Sequence, residues 1–202
     1  MPGPITHLET AYYYNKMCGY PFGGELYLGS ISPDSVNVKG HALRQKRWPA
    51  HLRDADLDRW QSNATEFYQE NKGKVDEAFL RGYIIHILTD IVWDRAFDMP
   101  LYNLLHDAGV PNEHLKHERW NEIYGYEQTQ LKQVWFKKEV LPLLASANTL
   151  TVGTLKFDEV VEWQKNVVNL EVPTGTGPRF IDKTLIEMLC LQVFQLAKTV
   201  FD

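Results

Sequence analysis

The sequence places a histidine and an aspartate inside a strongly apolar segment. This segment runs from Phe79 to Asp94 and, if helical, is apolar nearly all round, so it belongs in the protein interior. His86 and Asp90 are four residues apart, which puts them on one helix face with their Cβ atoms about 6 Å apart. One metal cation can accept both side chains, and a buried His–Asp hydrogen bond is the alternative that needs no metal. The spacing alone leaves both interpretations open.

Three further candidate ligands precede this segment in tight or apolar settings. His7 lies in Ile-Thr-His-Leu, Asp34 in Ile-Ser-Pro-Asp and His51 in Pro-Ala-His-Leu. Taken singly, each has a structural interpretation: a helix start for His7, a turn or N-cap for Asp34, and a surface or stacking role for His51. Their order along the chain favours a shared site.

This order, His, Asp, His and then His-x-x-x-Asp on a buried helix, resembles the zinc-dependent phospholipase C family and its nuclease relatives. The matching motifs are Thr-His-Leu, Leu-Gly-Ser-Ile-Ser-Pro-Asp-Ser, Ala-His-Leu and Gly-Tyr-Ile-Ile-His-Ile-Leu-Thr-Asp, which cover most of residues 5–95. The resemblance implies an all-α fold around up to three zinc ions that hydrolyses phosphate esters. Manganese or ferrous iron are alternative ions.

The resemblance also implies roles for individual residues of this chain. By motif position, the metal ligands are His7, Asp34, His51, His86 and Asp90. Asp34 is in addition a candidate general base, and Asp90 a candidate bridge between two ions.

The family completes its metal cluster with a further histidine and a His-x-x-x-acid pair. This chain offers His106 and then His114 with Glu118, and we expect the last two to be ligands. Two alternatives stay open. One is a polar helix start that leaves His114 and Glu118 in water, and the other is a second ion held by the carboxylates of Asp94 and Glu122.

The elements that must position these residues are helical. Apolar residues recur at three- and four-residue spacing, and strict alternation is rare. We therefore predict an all-α, single-domain multi-helix bundle over residues 1–202 that encloses a metal cluster. The predicted helices lie near 54–70, 75–98, 115–146, 156–170 and 179–200, with shorter ones near 6–18 and 22–31.

Composition narrows the function classes. The chain has 202 residues, 21 Lys plus Arg and 26 Asp plus Glu, and its net charge of −5 disfavours a broad basic surface for nucleic acid. Cys18 and Cys190 form no CxxC pair, so a thiolate zinc site is not indicated. The N-terminus lacks the pattern of a secretory signal, and no apolar run reaches the roughly 20 residues of a membrane span. We expect a cytoplasmic protein without a transmembrane segment.

A short basic stretch lies between Asp34 and His51. It contains Lys39, Arg44, Lys46 and Arg47. Such a stretch can attract a phosphate to the metal cluster, and a solvated loop is the alternative role.

The favoured interpretation is a metal-dependent hydrolase of phosphomonoesters or phosphodiesters that acts on a small substrate through a metal-activated water. The runner-up is a non-catalytic helical interaction or regulatory protein with a structural or vestigial metal site. A metal-dependent hydrolase of a non-phosphate substrate is the third interpretation. The sequence contains neither a GxGxxG motif after a strand nor a P-loop, which disfavours dinucleotide redox chemistry and P-loop NTPase activity.

Overall fold

The computed structural model describes residues 2–19, 21–171 and 177–202. Within these ranges it contains ten α-helices and no β-strand, which confirms the all-α prediction. In chain order the helices are α1 (Pro4–Met17), α2 (Gly24–Ile31), α3 (Arg44–Ala50), α4 (Leu57–Asn71), α5 (Glu77–Ala96), α6 (Asp98–Asp107), α7 (Leu115–Gln130), α8 (Leu141–Ser146), α9 (Phe157–Val168) and α10 (Lys183–Phe201). A short 3₁₀ helix (Ser32–Asn37) follows α2, and a π-helical turn (Trp135–Val140) precedes α8.

Two helices were not predicted, and one predicted helix is divided. α3 has only seven residues and contains Pro49, so it offers too short a pattern for a periodicity argument. α6, which follows α5 directly, was also missed. The helix predicted over 115–146 ends at Gln130 and resumes as the π turn and α8. Pro142, which has no backbone N–H, lies at the start of α8, where the π turn passes into the α-helix.

α5 is the central helix of the core. Its N-cap Asp76 accepts a hydrogen bond of 2.9 Å from the backbone N–H of Phe79, and a continuous stretch from Gly82 to Trp93 is buried. α2 packs closest against it, and α1, α4 and α10 also contact it. A buried, apolar-all-round helix is therefore enclosed by its neighbours, as its composition predicted.

Glycine allows the backbones of α2 and α5 to approach closely. A Cβ atom built on Gly29 would lie 2.1 Å from the carbonyl oxygen of Phe79, and one built on Gly82 would lie 2.0 Å from that of Leu26. Real Cβ atoms do not come this close to backbone atoms, so no side chain fits at either position. This contact fixes α2 against the part of α5 that carries His86.

Two residues of α7 form hydrogen bonds with residues of α1 before and after His7. The Glu127 carboxylate accepts hydrogen bonds from the backbone N–H and the hydroxyl of Thr6, at 2.9 and 3.0 Å. The Tyr126 hydroxyl lies 3.0 Å from a carboxylate oxygen of Glu9. α1 has no side-chain cap of its own, so Glu127 provides an acceptor for its N-terminal turn from another helix.

We predict that ionisation of the Glu127 carboxyl group lowers the stability of the folded protein. Burial raises the pKa of Glu127 from 4.5 to about 7, although the hydrogen bonds from Thr6 oppose the shift. A raised carboxyl pKa means that the folded state binds more protons than the unfolded state between those two values, so stability falls as pH rises through that window. Glu127→Gln keeps the acceptor oxygen and removes the charge. Urea unfolding should therefore show the variant more stable than wild type above about pH 7, by on the order of 2 kcal/mol, with a smaller difference near pH 4.5.

The matched control is Glu162→Gln on the exposed face of α9. Its unfolding should follow wild type at both pH values. A Glu127→Gln protein that is less stable than wild type above pH 7 would contradict the assignment, since it would mean that the charged carboxylate stabilises α1.

α10 is the one helix in the described ranges that is long and apolar enough to cross a membrane. It packs against α5, α1 and α4, and core helices of soluble proteins share this length and composition. The absence of a membrane-spanning segment and the cytoplasmic location stay predictions.

Candidate metal centre

The structure brings five of the sequence-predicted ligands together. His7 comes from α1, Asp34 from the 3₁₀ helix, His51 from the residue after α3, and His86 and Asp90 from α5. Asp34 is 9% exposed and the other four are no more than 2% exposed. Residues spread over more than eighty positions thus form one buried polar cluster, hereafter the His–Asp cluster.

Asp90 lies at the centre of this cluster. Its Oδ1 atom is 3.6 Å from His7 Nε2, and its Oδ2 atom is 3.7 Å from His86 Nε2 and 4.0 Å from His51 Nε2. On the other side of His51, its Nε2 atom lies 3.3 Å from Asp34 Oδ1. The rings of His7 and His86 are stacked, with centroids 3.7 Å apart. Three imidazoles therefore face one central carboxylate.

Backbone carbonyls fix two of the imidazoles in the tautomer that a metal requires. His86 Nδ1 donates to the Ser30 carbonyl at 2.8 Å, and His51 Nδ1 donates to the Arg47 carbonyl at 2.9 Å. Because a carbonyl only accepts, Nδ1 carries the proton in both rings and Nε2 keeps its lone pair in the neutral form. Histidine ligands of metals usually have this arrangement, in which the ring nitrogen that does not bind the metal donates a hydrogen bond.

The backbone around His51 is held from two other helices. Trp60 Nε1 donates to the His51 carbonyl at 2.7 Å, and the Tyr83 hydroxyl donates to the Ala50 carbonyl at 2.6 Å. Leu52 has a positive φ of 50° and ends the helical path directly after His51. Sequence reasoning did not identify Trp60 or Tyr83 as positioning residues, because neither has a spacing relation to His51.

Burial keeps two of the histidines neutral. Desolvation is the main cause that lowers the pKa of His7 and of His86 well below 6.5, and in each case a neighbouring histidine adds to it. Both rings are therefore uncharged near neutral pH and can bind a metal without first losing a proton.

The carboxylates of the cluster differ in their ionisation. Burial raises the pKa of Asp90 to about 7, so its charge is costly without a counter-charge. Burial also opposes ionisation of Asp34, but contacts with His51, His86 and Arg47 outweigh it and lower its pKa. Conversely, Asp34 and Asp90 outweigh the desolvation of His51 and raise its pKa.

Many polar atoms of the cluster have no hydrogen-bond partner within the described part of the chain. These buried atoms are both ring nitrogens of His7, Nε2 of His51, Nε2 of His86 and both carboxylate oxygens of Asp90. Leaving such atoms unpaired in a protein interior is unfavourable, typically by 1–3 kcal/mol each. Imidazole nitrogens and carboxylate oxygens are ligands of zinc and similar ions, so a bound divalent cation would satisfy them together.

Two overlapping groups in the cluster have the spacing of a metal site. One consists of His7, Asp34 and His86, and the other of His51, His86 and Asp90, with the ligand atoms of each group within 4.8 Å of one another. His86 belongs to both groups. The ligand atoms of both groups are imidazole nitrogens and carboxylate oxygens, without a thiolate. This donor set suits a divalent transition ion.

The second half of the predicted ligand set lies elsewhere. His114 is exposed at the start of α7, and Glu118 contacts Arg179 at 3.4 Å. His106 is exposed and lies 3.5 Å from Asp107. None of the three belongs to either group of candidate ligands that the described residues form.

The alternative carboxylates also have other partners. Asp94 forms an ion pair with Arg53 at 2.5 Å. Glu122 accepts hydrogen bonds from the backbone N–H groups of Arg179 and Phe180 at 2.8 and 2.9 Å. Neither is a member of the two candidate groups among the described residues.

A cleft of about 870 Å³ opens beside the cluster, with Asp34 in its wall. Of the basic stretch between Asp34 and His51, only Arg47 lines this cleft. Lys46 instead pairs with Glu159 at 2.8 Å, and the Arg44 guanidinium stacks over Trp48 at 3.5 Å. The least buried member of the cluster is therefore the one that borders the cleft.

No family model, no curated protein and no solved structure matches this chain.

Proposed function

We propose that the protein is a metal-dependent hydrolase of phosphate esters whose active site is the His–Asp cluster. The observation that carries this proposal is the set of buried, unpartnered imidazole and carboxylate atoms that surround Asp90 beside an open cleft. The ligands would be His7, Asp34, His51, His86 and Asp90. A zinc ion or a similar divalent ion held by these residues would supply Lewis acidity, which favours ionisation of water and offsets negative charge on a phosphate.

Asp34 is the candidate general base. Its Oδ1 atom accepts a hydrogen bond of 3.1 Å from the Asn37 amide and lies 3.3 Å from His51 Nε2. The Asp34 side chain also borders the cleft. Its lowered pKa keeps it ionised near neutral pH. In the proposed reaction Asp34 accepts a proton from water as the water oxygen bonds to phosphorus, and the ester oxygen leaves with the electron pair of the broken P–O bond.

The test is hydrolysis of aryl phosphomonoesters and phosphodiesters by purified protein that carries no histidine tag. We expect turnover that a chelator abolishes and that added zinc or manganese restores, because the donor set holds the ion through imidazole and carboxylate ligands. Asp158→Asn, an exposed carboxylate on α9, should keep this activity and serves as the control variant.

Chelator-insensitive turnover would mean a contaminant or a reaction that does not depend on the cluster. Fully metallated protein that hydrolyses no member of a broad phosphate-ester panel would favour a structural metal site in an interaction protein.

A further inference from the structure

The cleft beside the His–Asp cluster differs in charge from the rest of the molecule. The chain as a whole carries −5, yet four cationic side chains and three carboxylates line the cleft. The cations are Arg47, Arg53, Lys116 and Arg119, and the carboxylates are Asp34, Asp94 and Asp98. The described lining of the cleft therefore has one more cationic side chain than carboxylates, whereas the whole chain has a net negative charge.

Two of these cations are held against carboxylates of the cleft. Arg53 pairs with Asp94, and the Arg119 guanidinium contacts Asp98, each at 2.5 Å. Both arginines are partly covered by these contacts and form part of the wall. Their charges are offset locally and do not account for the excess.

Arg47 and Lys116 are the other two cations of the cleft lining, and Asp34 is its third carboxylate. Arg47 donates to His41 Nε2 at 2.5 Å and contributes to the lowered pKa of Asp34, which places its charge beside the cluster. Lys116 is exposed on the first turn of α7 and has no hydrogen bond or ion pair with any residue in the described ranges. Lys116 is thus a cation of the cleft with which no described carboxylate forms an ion pair.

The cleft lining also contains aromatic side chains, two of which follow Lys116 at four-residue spacing on α7. Trp120 and Tyr124 stack with ring centroids 5.4 Å apart, and Tyr102 lines the same cleft. The Arg119 guanidinium lies 5.2 Å from the Trp120 ring and 5.8 Å from that of Tyr102. The volume is in the range of small-molecule sites, and the lining combines cationic side chains with aromatic rings.

We propose that the cleft binds a second acidic group of the substrate, a phosphate or a carboxylate, with Lys116 as its principal contact. This inference rests on the proposed function, because it places the reacting phosphate at the His–Asp cluster and the second acidic group in the cleft. The same positive charge disfavours phosphate esters that carry a cationic group at this position.

The experiment measures binding of phosphonates, which the protein cannot hydrolyse at the P–C bond, by calorimetry on the zinc-loaded full chain. Four probes share a propyl unit: propylphosphonate, aminopropylphosphonate, carboxypropylphosphonate and propane diphosphonate. We expect at least one acidic probe to bind about tenfold more tightly than propylphosphonate, and the amino probe to bind more weakly than propylphosphonate. The carboxylate and phosphonate arms show which acidic group the cleft prefers.

Lys116→Ala should remove most of the preference for the acidic probes over propylphosphonate. Lys74→Ala, an exposed lysine between α4 and α5, is the control and should keep the preference. Thermal melts of both variants confirm that they fold. Three results would each overturn the inference. They are equal binding of propylphosphonate and the acidic probes, tighter binding of aminopropylphosphonate than of propylphosphonate, and a preference for acidic probes that Lys116→Ala leaves intact.

The same titrations on zinc-free protein separate this inference from the proposed function. If propylphosphonate binds equally with and without zinc, the metal does not hold the phosphonate and the proposed function fails. If its binding requires zinc but the probes do not differ, the proposed function survives and the cleft inference fails.

Discussion

Asp90→Asn is expected to lose nearly all bound zinc and to lower phosphate-ester hydrolysis by more than about 100-fold. Loss of groups that only support a metal ligand already costs about 10–100-fold, and Asp90 is the carboxylate that three imidazoles face. Asparagine keeps the size and one acceptor oxygen but removes the charge. Metal analysis of the purified variant, together with its turnover number, measures both effects.

The stability of the same variant distinguishes a metal ligand from a structural residue. Because burial raises the pKa of Asp90 to about 7, its charge destabilises the metal-free fold above that pH. Metal-free Asp90→Asn should therefore melt at or above the temperature of metal-free wild type near pH 8, and a chelator should lower the melting temperature of wild type only. A variant that retains zinc, or a wild-type melt that ignores the chelator, would contradict the role given to Asp90.

Gly82→Ala is expected to destabilise the protein by about 3 kcal/mol or more. In an open helix this change stabilises by up to about 1 kcal/mol. Here the new methyl group would lie 2.0 Å from the carbonyl oxygen of Leu26 and 2.9 Å from the backbone nitrogen of Ser30, and neither backbone atom can move without separating α2 from α5. Urea unfolding of the metal-free variant measures the loss.

Zinc affinity should fall in the same variant, because the Ser30 carbonyl that orients His86 lies on the displaced helix. Gly177→Ala is the control, since a Cβ atom there meets no atom of the described residues within 4 Å, and it should unfold like wild type. If Gly82→Ala were as stable as wild type, α2 and α5 would have to be further apart than in the structure.

The sequence allowed the helical class and the burial of His86 and Asp90 to be predicted, because an all-round apolar segment has only the interior to occupy. The order of motifs also indicated that His7, Asp34 and His51 share a site with them. By contrast, His114 and Glu118 have the same four-residue spacing as His86 and Asp90, but their helix begins in a polar, exposed segment. Spacing gives a shared face, and only packing decides whether that face points at the cluster.

Other parts of the centre have no signal in a single sequence. The carbonyls of Ser30 and Arg47 orient two imidazoles, and every residue has a carbonyl. The cleft brings Arg47 together with Lys116 and Trp120, which come from segments distant in the chain. Such contacts depend on how α3 and α7 pack, and α3 itself is too short to be predicted from periodicity.

The central claim is that a divalent ion binds at the His–Asp cluster, and anomalous scattering at the zinc edge from crystals of zinc-loaded protein tests it most directly. We predict an anomalous peak about 2.0–2.2 Å from Nε2 of His86 and from at least two further atoms of His7, Asp34, His51 or Asp90. A peak confined to His106, His114 or Glu118, or zinc-loaded crystals with no peak at Asp90, would contradict it.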